Sequence, residues 1–281
     1  MRVDFFIIGA AKCGTSTLAG ILGVHPEISF CKVKEPFFFN YPVSTDMHQI
    51  SAYHQLFIEK PGAKYGEAST LYSCYPEYSQ TEKRIYNYNP GAKIIYLMRH
   101  PVNRIRSHYW HNMINKRTLY DKSKMFDEIQ LDPTYLLRSR YGMQLEQYFS
   151  VFPKQNILMV FLENLISQPE SALRDIYTFL KVSPLPVELF NPLRQYRNKS
   201  SERLSAGLLY RLLGKTDLNK LIPLRLKHKL FYLTANAVPP PLAFSSEQEK
   251  WILKQLSADL NRLCSYTGID VYKLWEIPDK Y

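Results

Sequence analysis

The feature that most constrains the fold of this chain is a glycine-containing segment near its N-terminus, FFIIGAAKCGTSTLAGIL at residues 5–22. Its apolar first part is typical of a buried strand, and a helical pattern begins near Thr15. A strand that runs through a glycine turn into a helix directs backbone N–H groups and the positive end of the helix dipole at an anion. The segment therefore predicts an α/β fold with a phosphate-binding loop.

The position of the lysine separates this loop from the loop of an ATPase. Gly9 and Gly14 have the spacing of the two glycines in GxxxxGK[ST], and Ser16 occupies the [ST] position. Thr15 stands where that pattern has its lysine, and the lysine of this chain is Lys12. Because the backbone N–H groups and the helix dipole remain, phosphate binding survives the change.

The chain also has no acid where an ATPase holds magnesium. KIIYLM (93–98), the obvious second apolar strand, runs into Arg99, so a cation occupies the place of a metal ligand. His100, His108 and His111 have no acid or cysteine at ligand spacing, which predicts histidines of a site rim or surface and no metal site. We therefore expect a donor whose transferred group needs no divalent metal.

The pattern of apolar runs predicts the architecture. Strand-like runs at 3–9, 27–32, 93–98 and 156–161 alternate with helix-like stretches at 15–24, 51–59, 76–88, 102–115, 134–151 and 169–181. This alternation is typical of a three-layer, P-loop-type fold with a central parallel sheet flanked by helices. We expect one domain over 1–281, with a nucleotide-binding core at about 1–200 and a helical C-terminal portion at about 201–281, which includes a long amphipathic stretch from Ser245 to Thr267.

Charge and composition limit the ligand and the compartment. The net charge of +11 predicts an anionic ligand. No apolar run reaches the roughly 18 to 20 residues of a membrane span, and no leader pattern precedes the first strand, so we expect a cytoplasmic protein without a transmembrane segment. Four cysteines are scattered without metal-site spacing, which predicts reduced thiols. The oligomeric state does not follow from the sequence.

Four motifs together resemble a known family: AAKCGTST (10–17), KEPFFF (34–39), GEAST (66–70) and RHPVNRIRSHY (99–109). The combination resembles the sulfotransferases that use 3′-phosphoadenosine 5′-phosphosulfate (PAPS), and looks closest to the heparan sulfate enzymes and their bacterial relatives. The resemblance covers roughly residues 4 to 200. It implies PAPS as donor, 3′-phosphoadenosine 5′-phosphate (PAP) as product and no metal.

The resemblance also implies the residues of the donor site. Lys12 matches the lysine that stabilises charge on the bridging oxygen as the sulfuryl group leaves. The rest of the loop would surround the 5′-phosphosulfate, and the later motifs would hold the 3′-phosphate; the residues concerned are Cys13, Gly14, Thr15, Ser16 and Thr17, then Arg99 and Ser107, and a basic loop with Arg197 and Lys199. The thiol of Cys13 would be reactive if the loop lowered its pKa.

The acceptor must lose a proton as it attacks sulfur, so a base is needed within hydrogen-bond reach. Two glutamates compete for this role. Glu35, 23 residues after Lys12, matches the base of the heparan sulfate enzymes. Glu67 is the second candidate, as base or as a group that orients the acceptor. Arg104 and Arg106 are expected to be solvated charges of a helix.

Acceptor-side positions depart from the heparan-type pattern at Phe37, Asn40 and Ala68. The resemblance therefore implies the donor and the chemistry rather than heparan sulfate as acceptor. The function expected is transfer of a sulfuryl group to an O–H or N–H group, with a carbohydrate as first expectation and a lipid or small alcohol open. The alternatives are a magnesium-dependent nucleotide kinase or NTPase, and a non-catalytic anion-binding module. The sequence lacks the interleaved aromatic and basic residues of an RNA-binding sheet motif, so we do not expect nucleic acid as a partner.

Overall fold

The computed structural model describes residues 1–42, 47–116, 124–186, 204–205, 236–237 and 243–278. Its principal strands are Phe5–Gly9 (β1), Ile28–Phe30 (β2), Lys64–Ala68 (β3), Lys93–Met98 (β4) and Ile157–Phe161 (β5). The helices before β5 are Thr15–Gly23 (α1), Met47–His54 (α2), Thr81–Tyr88 (α3), Pro101–Lys116 (α4), Met125–Leu131 (α5), Thr134–Leu137 (α6) and Tyr141–Phe149 (α7). After β5 come the helices Leu162–Ser167 (α8), Pro169–Leu180 (α9), Ser246–Thr267 (α10) and Val271–Leu274 (α11), and the short strands Leu204–Ser205 (β6) and Asn236–Ala237 (β7).

Five parallel strands form the central sheet in the order β2-β3-β1-β4-β5. Every residue of β1 is buried, and so is β4 from Ile94 to Met98, because central parallel strands are covered on both faces and become continuously apolar. Phe5 of β1 pairs with Gly66 of β3, where any side chain would collide with the Phe5 ring. The sheet and its flanking helices confirm the predicted α/β class and place the β1 loop at the middle of the sheet edge.

Some observed elements differ from the predicted ones, mostly where the apolar pattern of the sequence does not report which residues are buried. β3 (KYGEA) was not predicted, because a glycine and a buried glutamate interrupt its apolar pattern. The predicted helix at 134–151 is two helices separated by a turn at 138–140. The short helices α5 and α8 were also missed. In the C-terminal portion, Leu204–Ser205 pairs with Asn236–Ala237 as antiparallel strands where helix was expected.

Helix α10 packs against α7 and holds the start of that helix. It begins with a capping box formed by Ser245 and Gln248. The carboxylate of Asp259, on its buried face, accepts hydrogen bonds from the backbone N–H groups of Gly142 (2.9 Å) and Met143 (2.8 Å) at the start of α7. The division into a core at 1–200 and a C-terminal portion at 201–281 stays a prediction, because most of 201–242 lies outside the described residues.

Candidate active site

A cavity of about 520 Å³ lies beyond the carboxyl ends of the central strands, at the edge where open parallel sheets bind their ligands. Several separate segments bring predicted site residues to it: Lys12, Gly14, Thr15, Ser16, Thr17, Glu35, Arg99 and Ser107. Two other predicted residues, Cys13 and Glu67, do not line the cavity. Arg197 and Lys199 lie outside the described residues.

The loop after β1 offers backbone donors to the cavity. Gly14 caps α1 in the left-handed region (φ 91°), and a side chain there would lie 2.7 Å from Leu162. No described residue accepts a hydrogen bond from the N–H groups of Gly14, Thr15 and Ser16. Free N–H groups at the positive end of a helix suit an anion. Lys12 is also left-handed (φ 73°), which is uncommon for a non-glycine residue.

The second donor element is the junction of β4 and α4. Arg99 directly follows β4, Pro101 begins α4, and Ser107 lies further along that helix on the same cavity. Glu163 fixes this junction, since one carboxylate oxygen accepts from the N–H of His100 (2.9 Å) and the other from Trp275 Nε1 (3.1 Å). The helix start that positions Arg99 is thus held by residues that the sequence did not suggest.

Tyr141 connects the two donor elements. Its buried hydroxyl donates to the carbonyl of Arg99 (2.7 Å) and lies 3.6 Å from Cys13 Sγ. The thiol of Cys13 is fully buried in the core, and burial raises its pKa to about 11. The condition for a reactive thiol, a lowered pKa, is therefore not met at Cys13. The side chain of Cys13 packs beneath the loop rather than facing a ligand.

Glu35 stands on the cavity in a strained loop. Glu35 and Phe37 are both left-handed, each with φ 55°. The hydroxyl of Thr70 donates to Glu35 Oε2 at 3.4 Å. The side chain of Glu35 is half-buried and shares the cavity with Lys12. A carboxylate on the same cavity as a cation and free N–H donors can take a proton from a nucleophile bound there.

Glu67 is the centre of a buried hydrogen-bond cluster behind the Glu35 loop. It is fully buried and accepts from the hydroxyls of Tyr72 (2.8 Å), Tyr53 (2.9 Å) and Ser69 (3.2 Å). Burial raises the pKa of Glu67 to about 7, although these three donors lower it. Because Glu67 does not line the cavity, it is badly placed to take a proton from an acceptor there.

The partners of Glu67 hold the loop that carries Glu35. Ser69 Oγ accepts from the backbone N–H of Phe37 (3.2 Å), and the hydroxyl of Tyr72 accepts from the N–H of Phe39 (3.3 Å). Glu67 therefore positions the Glu35 loop through two side chains. The sequence singled out this segment through the GEAST motif, but it could not distinguish a supporting glutamate from a base.

Helix α4, which forms one wall of the cavity, is more deeply buried than the sequence suggested. Arg104, expected as a solvated charge, is fully buried, and His108, expected on a rim or surface, is 4% exposed. Arg104 donates to Ser139 Oγ (2.6 Å) and to the carbonyl of Tyr135 (2.7 Å). Both partners lie more than 30 residues further along the chain, so helix periodicity alone could not show this burial.

Among the residues that the structure describes, no group of three histidine, cysteine, aspartate or glutamate side chains could hold a metal ion. The described helices include none that is both long and apolar enough to cross a membrane. The expectations of a metal-free site and of a cytoplasmic protein stay predictions.

A parallel sheet whose central strand runs through a glycine turn into a helix is the architecture of P-loop-type proteins. A family model described as "Sulfotransferase domain" matches residues 2–205. The chain belongs to the sulfotransferase family.

Individual relatives agree with this family. Carbohydrate sulfotransferase 15 of Homo sapiens is 26% identical over 247 residues, with 64% of this chain and 44% of that protein covered. Heparan sulfate glucosamine 3-O-sulfotransferase 5 of Mus musculus is 26% identical over 193 residues, with 63% and 53% covered. The chain thus spans about half the length of the curated relatives it matches.

Solved structures show the same fold. A sulfotransferase from Alicyclobacillus acidocaldarius matches with a TM-score of 0.66 and 24% identity, covering 98% of this chain and 99% of that one. Mouse sulfotransferase SULT7A1, solved in complex with PAP, matches with a TM-score of 0.56 and 15% identity, covering 98% and 88%. The predicted P-loop-type fold is therefore that of sulfotransferases.

Proposed function

We propose that this protein is a PAPS-dependent sulfotransferase that transfers a sulfuryl group to a hydroxyl or amine of an acceptor, with a carbohydrate as the first candidate. The observation that carries the proposal is that three separate segments, which carry Lys12, Glu35, and Arg99 with Ser107, line one cavity. The family match and the carbohydrate sulfotransferases among the relatives support it.

The donor side of the proposed reaction uses charge and backbone donors. Arg99 and Ser107 would bind the 3′-phosphate, which distinguishes PAPS from ATP. The N–H groups of Gly14 and Thr15 would hold the 5′-phosphosulfate at the helix start. In the transfer, the bond between sulfur and the bridging oxygen breaks, and negative charge develops on that oxygen. Lys12 would stabilise this charge, as positioned cations do for leaving groups.

The acceptor side uses one base. As the acceptor oxygen or nitrogen forms its bond to sulfur, its proton would pass to the carboxylate of Glu35. The hydroxyl of Thr70 and the left-handed backbone orient this carboxylate. PAP and the sulfated acceptor are then the products. Binding of the donor through its remote 3′-phosphate would position the sulfur for in-line attack.

Transfer of ³⁵S from labelled PAPS tests the proposal. The acceptors would be heparosan, N-deacetylated heparosan, chondroitin and a simple aromatic alcohol, and the proteins the wild type, Glu35→Gln and the control Glu170→Gln on the exposed surface of α9. We expect transfer to at least one acceptor, a kcat about 10²–10⁴-fold lower in Glu35→Gln, and full activity in the control. PAP affinity should be the same in all three.

Two results would contradict the proposal. Magnesium-dependent ATP turnover without transfer from PAPS would favour a nucleotide kinase or NTPase. Polyanion binding that weakens steeply with salt and is unchanged in Glu35→Gln, without any transfer, would favour a non-catalytic module.

A further inference from the structure

One peptide unit at the β4–α4 junction is held at both of its edges. The carbonyl of Arg99 accepts a hydrogen bond from the hydroxyl of Tyr141 (2.7 Å), and the N–H of His100 donates to Glu163 Oε1 (2.9 Å). This carbonyl and this N–H belong to the same peptide bond, whose atoms form a rigid plane. Two hydrogen bonds at opposite edges therefore fix the orientation of the plane.

The orientation of this peptide unit determines where the side chain of Arg99 points. Before it, Met98 is the last residue of β4 and pairs with Phe161 of β5. After it, the carbonyl of His100 accepts from the N–H of Arg104 in the first turn of α4 (3.0 Å). Because the backbone is held on either side of Arg99, it sets the direction in which this side chain extends towards the cavity.

Trp275 contacts both supports of the Arg99–His100 peptide unit. Its Nε1–H donates to Glu163 Oε2 (3.1 Å), the carboxylate oxygen that the N–H of His100 does not use. Its ring packs against the ring of Tyr141, with centroids 6.0 Å apart, and against the imidazole of His100, with centroids 6.3 Å apart. The side chain is buried, with 4% exposed. One tryptophan thus holds the two groups that hold the peptide unit.

The segment that carries Trp275 is anchored to α10. The hydroxyl of Tyr272 donates to Asn261 Oδ1 of α10 (2.8 Å), and the N–H of Trp275 donates to the carbonyl of Val271 (3.0 Å). Helix α10 also holds the start of α7, the helix of Tyr141. The C-terminal helices therefore support the β4–α4 junction, although the matched family range ends at residue 205.

The two ends of the proposed donor are bound by different strand ends. In the proposed function Arg99, after β4, binds the 3′-phosphate, and a charge-assisted hydrogen bond depends on the distance and angle between its partners. The N–H groups that would bind the 5′ end lie at the start of α1, after β1. A change in the Arg99–His100 peptide unit should thus weaken binding of the 3′-phosphate without weakening binding of the 5′ end.

We propose that Trp275 is a positioning residue of the donor site, which holds Glu163 and Tyr141 against the Arg99–His100 peptide unit and so sets the preference for a nucleotide with a 3′-phosphate. The proposal rests on the proposed function and deepens it by making the C-terminal segment a part of donor recognition. Trp275 does not line the cavity, so it acts on the nucleotide through these partners.

Calorimetric titration with PAP and with ADP tests the proposal without turnover. The variant is Trp275→Phe, which keeps an aromatic ring beside Tyr141 and removes the Nε1–H group. We expect PAP to bind about fivefold more weakly than to the wild type, as for the loss of one hydrogen bond to a charged group, and ADP to bind equally to both proteins. The ratio of the PAP and ADP affinities is the readout, because a merely structural tryptophan would not change it.

Two further variants accompany Trp275→Phe. Trp251→Phe is the matched control, since Trp251 lies on α10 and packs against Phe126 of α5 (ring centroids 5.3 Å apart), and it should leave both affinities unchanged. Glu163→Gln tests the same route from its other end. Its amide replaces one of the two acceptor oxygens by a donor, so one of the bonds to His100 and Trp275 is lost, and PAP binding should weaken selectively again.

A double-mutant cycle tests whether Trp275 acts through Arg99. In the Arg99→Ala background, Trp275→Phe should change PAP affinity by less than about twofold, because the side chain that it positions is gone. A loss as large as in the wild-type background would overturn this route.

The failures of the two proposals are distinguishable. If the wild type binds PAP and ADP equally, the proposed function itself fails. If the wild type prefers PAP and Trp275→Phe keeps the full preference, Trp275 is a core residue only and the positioning role is overturned. Equal weakening of PAP and ADP in Trp275→Phe would also overturn it, because the tryptophan would then support the site as a whole.

Discussion

The donor side and the acceptor side of this cavity are built in different ways. The proposed donor side consists of two strand ends with the segments that follow them, at residues 9–17 and 98–107. Its candidate ligand groups are backbone N–H groups and side chains close in sequence. The acceptor side depends on contacts between distant segments. For example, the hydroxyl of Ser69 donates a hydrogen bond to Glu67 and accepts one from the N–H of Phe37, which is 32 residues away from Ser69. The first is set by local sequence and the second by tertiary packing.

This difference has a consequence for function. The free N–H groups of the loop follow from its backbone conformation, so many side-chain changes around them leave phosphate binding in place. The position of Glu35 depends on the cluster around Glu67, which is sensitive to every member because a buried polar group without a partner is costly. Variants on the two sides should therefore separate donor binding from acceptor chemistry.

On the donor side, the largest effect is expected from Lys12→Met. The variant removes the cation that would stabilise the leaving group, so kcat should fall about 10²–10³-fold while PAP still binds to the loop. Lys250→Met, an exposed lysine of α10, is the control for the loss of one positive charge. Steady-state kinetics with labelled PAPS measures the change. A loss smaller than tenfold would contradict the role of Lys12.

The second prediction concerns how the free energy of unfolding depends on pH, which should differ between Glu67 and a surface carboxylate. Its pKa is about 7 in the folded protein against 4.5 for a free glutamate. Between these values the folded state binds more protons than the unfolded state, so this group loses its contribution to stability as pH rises towards 7. Glu67→Gln cannot titrate, and its free energy of unfolding relative to the wild type should rise by up to about 3 kcal/mol between pH 4.5 and 8.

Urea unfolding of both proteins across this pH range measures the difference for Glu67. Glu170→Gln, on the exposed surface of α9, is the matched control and should follow the wild type. If the free energies of unfolding of Glu67→Gln and the wild type changed with pH in the same way, the carboxylate of Glu67 would be solvated. That result would contradict the claim that a buried cluster around Glu67 positions the acceptor side.

The smallest effect is expected from Tyr141→Phe, which removes the bond to the carbonyl of Arg99. The free energy of unfolding should fall by about 1 kcal/mol, as for one neutral hydrogen bond, and PAP affinity should fall several-fold because Arg99 loses its anchor. Tyr148→Phe is the matched control, since that buried hydroxyl bonds to the carbonyl of Tyr72 at 2.9 Å, away from the donor motifs. Equal PAP affinity in both variants would contradict the link through Tyr141.

Most of the donor-side residues predicted from the sequence lie on one cavity, and sequence could group them because their determinants are local. Gly14 needs a left-handed conformation that only glycine adopts without cost, and the neighbouring apolar strand and helix pattern fix the place of the loop. The end of β4 at Arg99 is likewise visible as the end of an apolar run. What the motif did not show is the direction of individual side chains: Cys13 was predicted as a donor-binding residue of the loop, and its thiol faces the core.

The acceptor side was harder to predict because burial there comes from distant partners. β3 has a glutamate in a buried position, which no apolar pattern reveals. Arg104 and His108 are typical surface residues by type, and side chains of 134–139, which pack against α4, help to bury them. Sequence reasoning assigned Glu35 as the base and kept Glu67 as a second base or a group that orients the acceptor, but it could not show that Glu67 lies behind the cavity and supports the Glu35 loop.

The most direct test of the account is calorimetric binding of PAP, ADP and ATP to the wild type and to Arg99→Ala. We expect the wild type to bind PAP far more tightly than ADP, because only PAP carries the 3′-phosphate, and Arg99→Ala to lose about 10- to 100-fold of that affinity, as for one charge-assisted contact. Equal binding of PAP and ADP, or tighter binding of ATP with magnesium, would contradict the assignment of the donor site.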